Sequence, residues 1–298
     1  MTIKDISIAI GLVFLMSVNL IVQKIALDQI SPYILGFLRV ALVVPLVFFI
    51  PKPKKSLWTY FICGLFVFCL YLALSNYGIK ELGANISSFI TQLQVFFTIL
   101  AFYIILGEKP TLNQTIGIFI SFFGVYFLSA TSSSEEYSLS GILISIASCV
   151  SFGLGTALTK KYKIGGNLQD MIWMALAASG PMLLTCFLLE GPIETYHEIV
   201  NITMPALFAA VFGAIAITLI TASMWFSLLQ RAPGSSVMPF MLLMPFFAIF
   251  LSHFILEETF SFHQFVAGII VLIGVMIAQN LHLRLPVLYF WVKNRIVL

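Results

Sequence analysis

No Asp or Glu falls near the middle of an apolar run in this sequence; each lies at the end of a run or in a polar linker. The chain therefore offers no midplane carboxylate, the usual residue for coupling membrane transport to protons. Charge is scarce altogether: 9% of 298 residues are charged and 60% are hydrophobic, against about 25% charged in a soluble domain. The net charge of +3 is small, and no basic cluster alternates with aromatics, which argues against a nucleic-acid partner. There is no Gly-rich nucleotide loop, so ATP is not the direct energy source. Only four cysteines occur, Cys63, Cys69, Cys149 and Cys186. All lie in apolar runs and none pairs with His at ligand spacing, which reads as buried thiols with neither a disulfide framework nor a metal site. No cofactor is expected, and no clustered nucleophile or acid/base pair marks an enzyme.

What is present is apolar length. A helix needs roughly 20 apolar residues to cross a bilayer, and breaks at Pro, Gly and charge clusters divide the chain into ten such segments. They fall near 5–25, 32–50, 57–79, 84–106, 112–129, 139–159, 168–189, 203–229, 235–256 and 262–282. None shows the two-residue alternation of a membrane β-strand. The first segment is too long for a signal peptide and more spans follow, so it reads as a retained span. Placing the N-terminus, the alternate loops and the C-terminus on one side puts twelve Lys and Arg there, among them Lys52, Lys54, Lys55, Lys160, Lys161 and Lys163. The other side keeps Lys24 and Lys80, and Arg39 sits within a span. The positive-inside rule makes both termini cytoplasmic.

The chain also repeats itself. "FFTILAFYIILGEKPTLNQTIGIFISFFGVYFL" (residues 96–128) aligns with "FFAIFLSHFILEETFSFHQFVAGIIVLIGVMIA" (246–278) at an offset of 150, matching Glu108 to Glu258, Gln114 to Gln264 and Gly124 to Gly274. Two consecutive five-span copies must lie in the membrane in opposite orientations, because five is odd. The expected fold is all-α and integral to the membrane: ten transmembrane helices as two inverted five-helix repeats, 1–130 and 139–282, with a cytoplasmic, interfacial tail at 283–298. Inverted repeats are the architecture of alternating-access carriers, whose substrate sits near the midplane between the halves.

These residues carry a resemblance. Ten spans as 5+5, each half closing on an acid, Gln and Gly, looks like the EamA branch of the drug/metabolite transporter superfamily, over about residues 5–280. More narrowly, "QLQVFFTI" (92–99), "GEKPTLNQTIGI" (107–118), "MWFSLLQRAPGSSVMPFMLLMP" (224–245) and "EETFSFHQF" (257–265) are similar to the O-acetylserine/cysteine exporters of that branch. The resemblance implies a bacterial inner-membrane, multi-pass exporter of amino acids and their metabolites. Met16-Ser17 stands where the family often has Trp-Gly in span 1, and Phe152 where it has Trp in the second copy.

Polar residues inside spans are the candidate site. On a regular helix Ser87, Thr91, Gln94 and Thr98 fall within about 60° of one another, while Gln92 lies roughly 200° from Gln94. The first four form a polar stripe; Gln92 faces a neighbouring helix. The offset of 150 turns that stripe into Val237, Met241, Met244 and Ala248. A cavity between the halves would have an amide and hydroxyl wall and a soft, polarizable one, suited to a small zwitterion. Asn19 and Gln23 lie one turn apart in span 1, and Thr218, Thr221 and Trp225 share a face of span 8. Arg39 either meets a substrate carboxylate or pins span 2 to neighbouring helix ends. His253 with Glu257 one turn on is the protonatable pair available for coupling. The partners expected are a small-molecule substrate and the lipid bilayer, and the protein is expected as a monomer. A carrier of another metabolite (a purine, nucleotide sugar or methylated cofactor), an exchanger or importer, and a non-transporting membrane protein remain as alternatives.

Overall fold

The computed structural model describes residues 2–129, 138–255 and 262–278. Among them the chain is helical and contains no strand. The first half comprises α1 (Ile3–Leu27), α2 (Pro32–Ala41), α3 (Leu57–Gly64), α4 (Tyr71–Thr91), α5 (Leu93–Leu106) and α6 (Leu112–Ser129). The second comprises α7 (Leu139–Tyr162), α8 (Leu168–Leu189), α9 (Pro192–Val200), α10 (Met204–Phe212), α11 (Ala222–Arg231), α12 (Gly234–Val237), α13 (Met244–Ile255) and α14 (Phe262–Ala278).

Local chemistry starts and stops these helices. Thr2 and Asp5 form a capping box on α1, Ser31 caps α2 ahead of Pro32, and Asn167 caps α8. Each supplies an oxygen to a backbone N–H that the first turn leaves unpaired. Gly107, at φ 70°, ends α5 in the left-handed conformation that glycine adopts without strain.

Six stretches are long and apolar enough to cross a membrane: Lys4–Leu27, Pro32–Phe49, Leu57–Leu82, Leu139–Tyr162, Leu168–Leu189 and Met204–Arg231. The other four expected segments hold shorter apolar helices, Leu93–Leu106, Leu112–Gly124, Gly234–Ala248 and Ile269–Ala278.

Several spans are not regular α-helix. A π-helical stretch, Leu65–Leu70, joins α3 to α4, and another, Gly213–Thr221, joins α10 to α11. An offset of 150 carries the first onto the second. Thr221 Oγ1 donates to the Ala216 carbonyl at 2.7 Å, five residues back, as the wider turn demands. A 3₁₀ stretch, Met238–Leu243, separates α12 from α13, with Pro239 inside it and Pro245 just beyond. Pro181, by contrast, lies within a continuous α8. The helix through residues 71–91 must reverse, because Ser87 Oγ donates to the Gly78 carbonyl at 2.9 Å. Nine residues of straight helix would separate them by about 13.5 Å.

Packing interleaves the halves. The principal pairs are α6 with α14, α2 with α8, α5 and α4 with α7, and α1 with α13. At the α6–α14 contact, Gly117, Gly124 and Gly274 let backbones approach until a Cβ at Gly117 would meet the Gly274 carbonyl. Such small-residue contacts replace the hydrophobic drive that lipid removes. Ser121 Oγ donates to the carbonyls of Gly117 at 3.0 Å and Val271 at 3.3 Å. The small face of α7 is likewise packed: Gly155 meets Phe66 and Val67, and Ser151 Oγ donates to the Phe66 carbonyl at 2.8 Å. All four cysteines are buried free thiols.

Candidate functional site

The two irregular spans and the breaks beside them frame one cavity between the halves. It contains about 980 Å³ of unfilled space, open solvent at its mouth included. α1 contributes Met16, Asn19, Leu20 and Gln23; α2 contributes Arg39; the first π stretch and α4 contribute residues from Val67 to Thr91; α5 contributes Gln94. From the second half come Phe152, Ile217, Ala222, Trp225, Phe226, Met241 and Met244. Val67 and Ile217, one from each π stretch, are related by the offset of 150.

Nine of the ten residues singled out as substrate candidates line this cavity: Ser87, Thr91, Gln94, Asn19, Gln23, Arg39, Trp225, Met241 and Met244. Thr98 does not. It is fully buried elsewhere, and its hydroxyl has no partner. Thr98 shares the face of Gln94 but lies one turn farther along α5, where the helix backbone at Phe97 and Thr98 packs against Gly153 of α7. Gln92 is buried and outside the cavity lining. Glu257 and the side chain of His253 lie outside the described residues, as does the tail at 283–298.

Sequence reasoning missed a polar strip on α4. Tyr71, Ser75 and Asn76 all line the cavity. Asn76 Nδ2 donates to the Pro32 carbonyl at 2.9 Å, and its Oδ1 accepts from Gln23 Nε2 at 3.5 Å. The signal was available as the Ser-Asn pair inside an apolar run.

The electrostatics of the cavity are unusual for a membrane interior. Arg39 Nε donates to Thr218 Oγ1 at 2.9 Å, and among the described residues no carboxylate pairs with Arg39. A charge in the hydrocarbon region costs about 2.5–3.5 kcal/mol on insertion scales. Asn19, Gln94 and Trp225 are at least nine-tenths buried. Asn19 Oδ1, Gln94 Oε1 and Trp225 Nε1 each lack a hydrogen-bond partner. An unsatisfied buried polar atom costs about 1–3 kcal/mol. The residues that line this one cavity thus include a cation, three side chains with a buried polar atom that lacks a partner, and two methionines. Among the described residues no group of three or more His, Cys, Asp or Glu could hold a metal ion.

Apolar membrane-length helices around a mainly apolar cavity with a few polar side chains define a multi-pass membrane protein with room for a small molecule. Residues 3–130 and 139–279 each match the EamA-like transporter family. The chain belongs to that family and is a membrane transporter. It is similar to the probable amino-acid metabolite efflux pump of Escherichia coli (strain K12), with 27% identity over 284 residues, covering 92% of this chain and 94% of that one. The protein of the same description from Salmonella typhimurium is 27% identical over 281 residues, with the same coverage of 92% and 94%. The uncharacterized transporter YvbV of Bacillus subtilis is 25% identical, covering 88% of this chain and 87% of its own. A solved crystal structure shares the fold at a TM-score of 0.70 and 15% identity, covering 92% of this chain and 98% of that one.

Proposed function

We propose that the protein exports small amino-acid metabolites, of the cysteine or O-acetylserine kind, across the bacterial inner membrane by alternating access. The observation that carries the substrate class is the cavity's complement of unsatisfied groups. A zwitterion brings a carboxylate for Arg39 and the Trp225 N–H, and an ammonium for the carbonyl oxygens of Asn19 and Gln94. Its side chain meets Met241 and Met244, where thioethers accept apolar or sulfur-bearing groups. Arg39 supplies a single cation, too little for a phosphate dianion. The similar proteins described as probable amino-acid metabolite efflux pumps support the same reading.

Alternating access rests on the two halves being inverted copies, 1–130 and 139–282, of five spans each. Three features support that arrangement. Ser121 bonds to Val271, its own equivalent at the offset of 150, as residues do only beside a two-fold axis. The helix pairs exchange in step: span 4 packs on span 6 and span 9 on span 1, while spans 5 and 10 pack on each other. The π stretches recur at equivalent positions. With Lys and Arg concentrated at one end, both termini face the cytoplasm.

The test is purified protein in liposomes with a panel of labelled amino acids, nucleotides and sugar phosphates. Counterflow of amino-acid metabolites is expected. Flux of phosphates without amino acids would overturn the substrate class.

A further inference from the structure

The cavity is not equally deep toward both ends of the helices. Its lining reaches Ile79 and Ser87, which flank the reversal within residues 78–87. Toward the opposite end, which carries Lys109, Lys160 and Arg231, the lining stops at Trp225, Phe226 and Phe152. Below that floor lies packed apolar matter. All six residues of the 3₁₀ stretch Met238–Leu243 are buried, as is Phe102.

Beneath this plug sits a cluster that no part of the substrate reading uses. Glu108 follows the left-handed Gly107 at the end of α5. Its Oε1 lies 2.6 Å from Lys160 Nζ in the last turn of α7, and its Oε2 accepts the Gly234 N–H at 2.8 Å. Lys160 Nζ also donates to the Ala232 carbonyl at 2.8 Å and stands 5.1 Å above the Phe102 ring. The side chains are only 13% and 24% exposed for Lys160 and Glu108. Beside them, Gln114 Nε2 donates to Ser236 Oγ at 2.9 Å, while its Oε1 accepts the Thr111 N–H at 2.8 Å. One ion pair therefore ties three segments: the turn after α5, the end of α7, and the turn before α12. Gly234 fits only because it has no side chain; a Cβ there would overlap the Phe102 ring.

We propose that Glu108 and Lys160 form the latch of the cytoplasmic gate, closed in this structure and opened once per transport cycle. A part-buried ion pair is a weak source of net stability but a good two-state element, because either charge set free must find water or another partner. Here the partners are split between the halves. The backbone groups of Ala232 and Gly234 belong to the turn that leads directly into the plug. Releasing the pair frees that turn, and the adjoining 3₁₀ stretch is the kind of irregular segment that serves as a hinge.

The inference rests on alternating access, and the experiment separates the two. Full-length protein carrying Met241→Cys as a reporter at the cavity floor is placed in vesicles of known sidedness. A membrane-impermeant maleimide is applied to each face in turn. The native cysteines, all buried, set the background in protein without the reporter. Glu108→Gln should raise labelling from the cation-rich face about tenfold and lower it from the other face. Gly234→Ala leaves every charge in place but pushes the turn off Phe102, and should act in the same direction. Labelling within about twofold of the parent in both variants, with the reporter still reachable from the opposite face, overturns the latch. Labelling of the native cysteines as well also overturns it, since the pair would then hold the fold and not the gate. A parent protein that shows neither counterflow nor substrate protection of the reporter fails the transport reading itself.

Discussion

Residues 84–105 and 234–255 hold corresponding places in the two halves and are built differently. Both interrupt their helix beside the cavity: the first at Gln92, the second through the 3₁₀ stretch Met238–Leu243. The first brings Ser87, Thr91 and Gln94 to the cavity; the second brings Met241 and Met244. The backbone break is shared and the chemistry is not. Under the alternating access proposed above, the same shape change in both halves calls for the break in both copies. A lining that must recognise a ligand with a charged end and an apolar end has reason to divide the two tasks between copies.

The largest effect expected from disturbing this division comes from the charge that serves the polar side. Arg39→Met should lower kcat/KM for an amino-acid metabolite by about 100-fold or more, the scale of truncating a buried charge contact. Thr218→Val removes the hydroxyl that accepts from Arg39 Nε and should cost less, because the cation remains. Liposome counterflow read beside a thermal melt separates lost recognition from lost folding. An unchanged rate in Arg39→Met would return Arg39 to a structural role on α2.

Gln94→Met makes the two walls alike. Loss of an amide that accepts from an ammonium is expected to weaken transport by about tenfold, since hydrogen bonds to charged groups contribute about 1.5–3 kcal/mol. The loss should appear in KM for zwitterions and be smaller for an analogue without the ammonium. Equal losses for both ligands would mean that Gln94 shapes the cavity without reading charge. On the other wall, Met244→Leu keeps volume and changes only flexibility and polarizability. Its effect should stay within about threefold, as volume-conserving apolar exchanges usually do.

How much of this was legible before any coordinates depends on what the letters record. Apolar length, the skew of Lys and Arg, and the 150-residue echo are properties of composition and order, and they carried the membrane class and the doubling. Side-chain polarity inside an apolar run is also written plainly, which is why Asn19, Gln23, Arg39 and Gln94 could be picked out. Helix irregularity is not. "LFVFCL" (65–70) and "GAIAITLIT" (213–221) contain no Pro and only one Gly at a terminus. Nothing local announces a π-helical turn when tertiary packing sets it. The pairing of Glu108 with Lys160 was equally hidden: each reads alone as a charge at the end of a span, and only the fold brings the end of α5 to the end of α7.

Thr98 shows the same boundary at the scale of one residue. Helical spacing carries it on the face of Gln94, but it lies one turn farther along α5, where the backbone packs against Gly153 of α7. Its hydroxyl ends fully buried without a partner. Thr98→Val keeps the shape and removes a polar atom that nothing satisfies, so transport should be unchanged. Stability should hold or rise by about 1 kcal/mol, the scale of an unmet buried hydroxyl, read as an upward shift of the melting temperature in detergent. A fall in transport with the fold intact would mean that Thr98 reaches the ligand in another state of the cycle. The polar wall would then be one residue longer in that state than in the structure described.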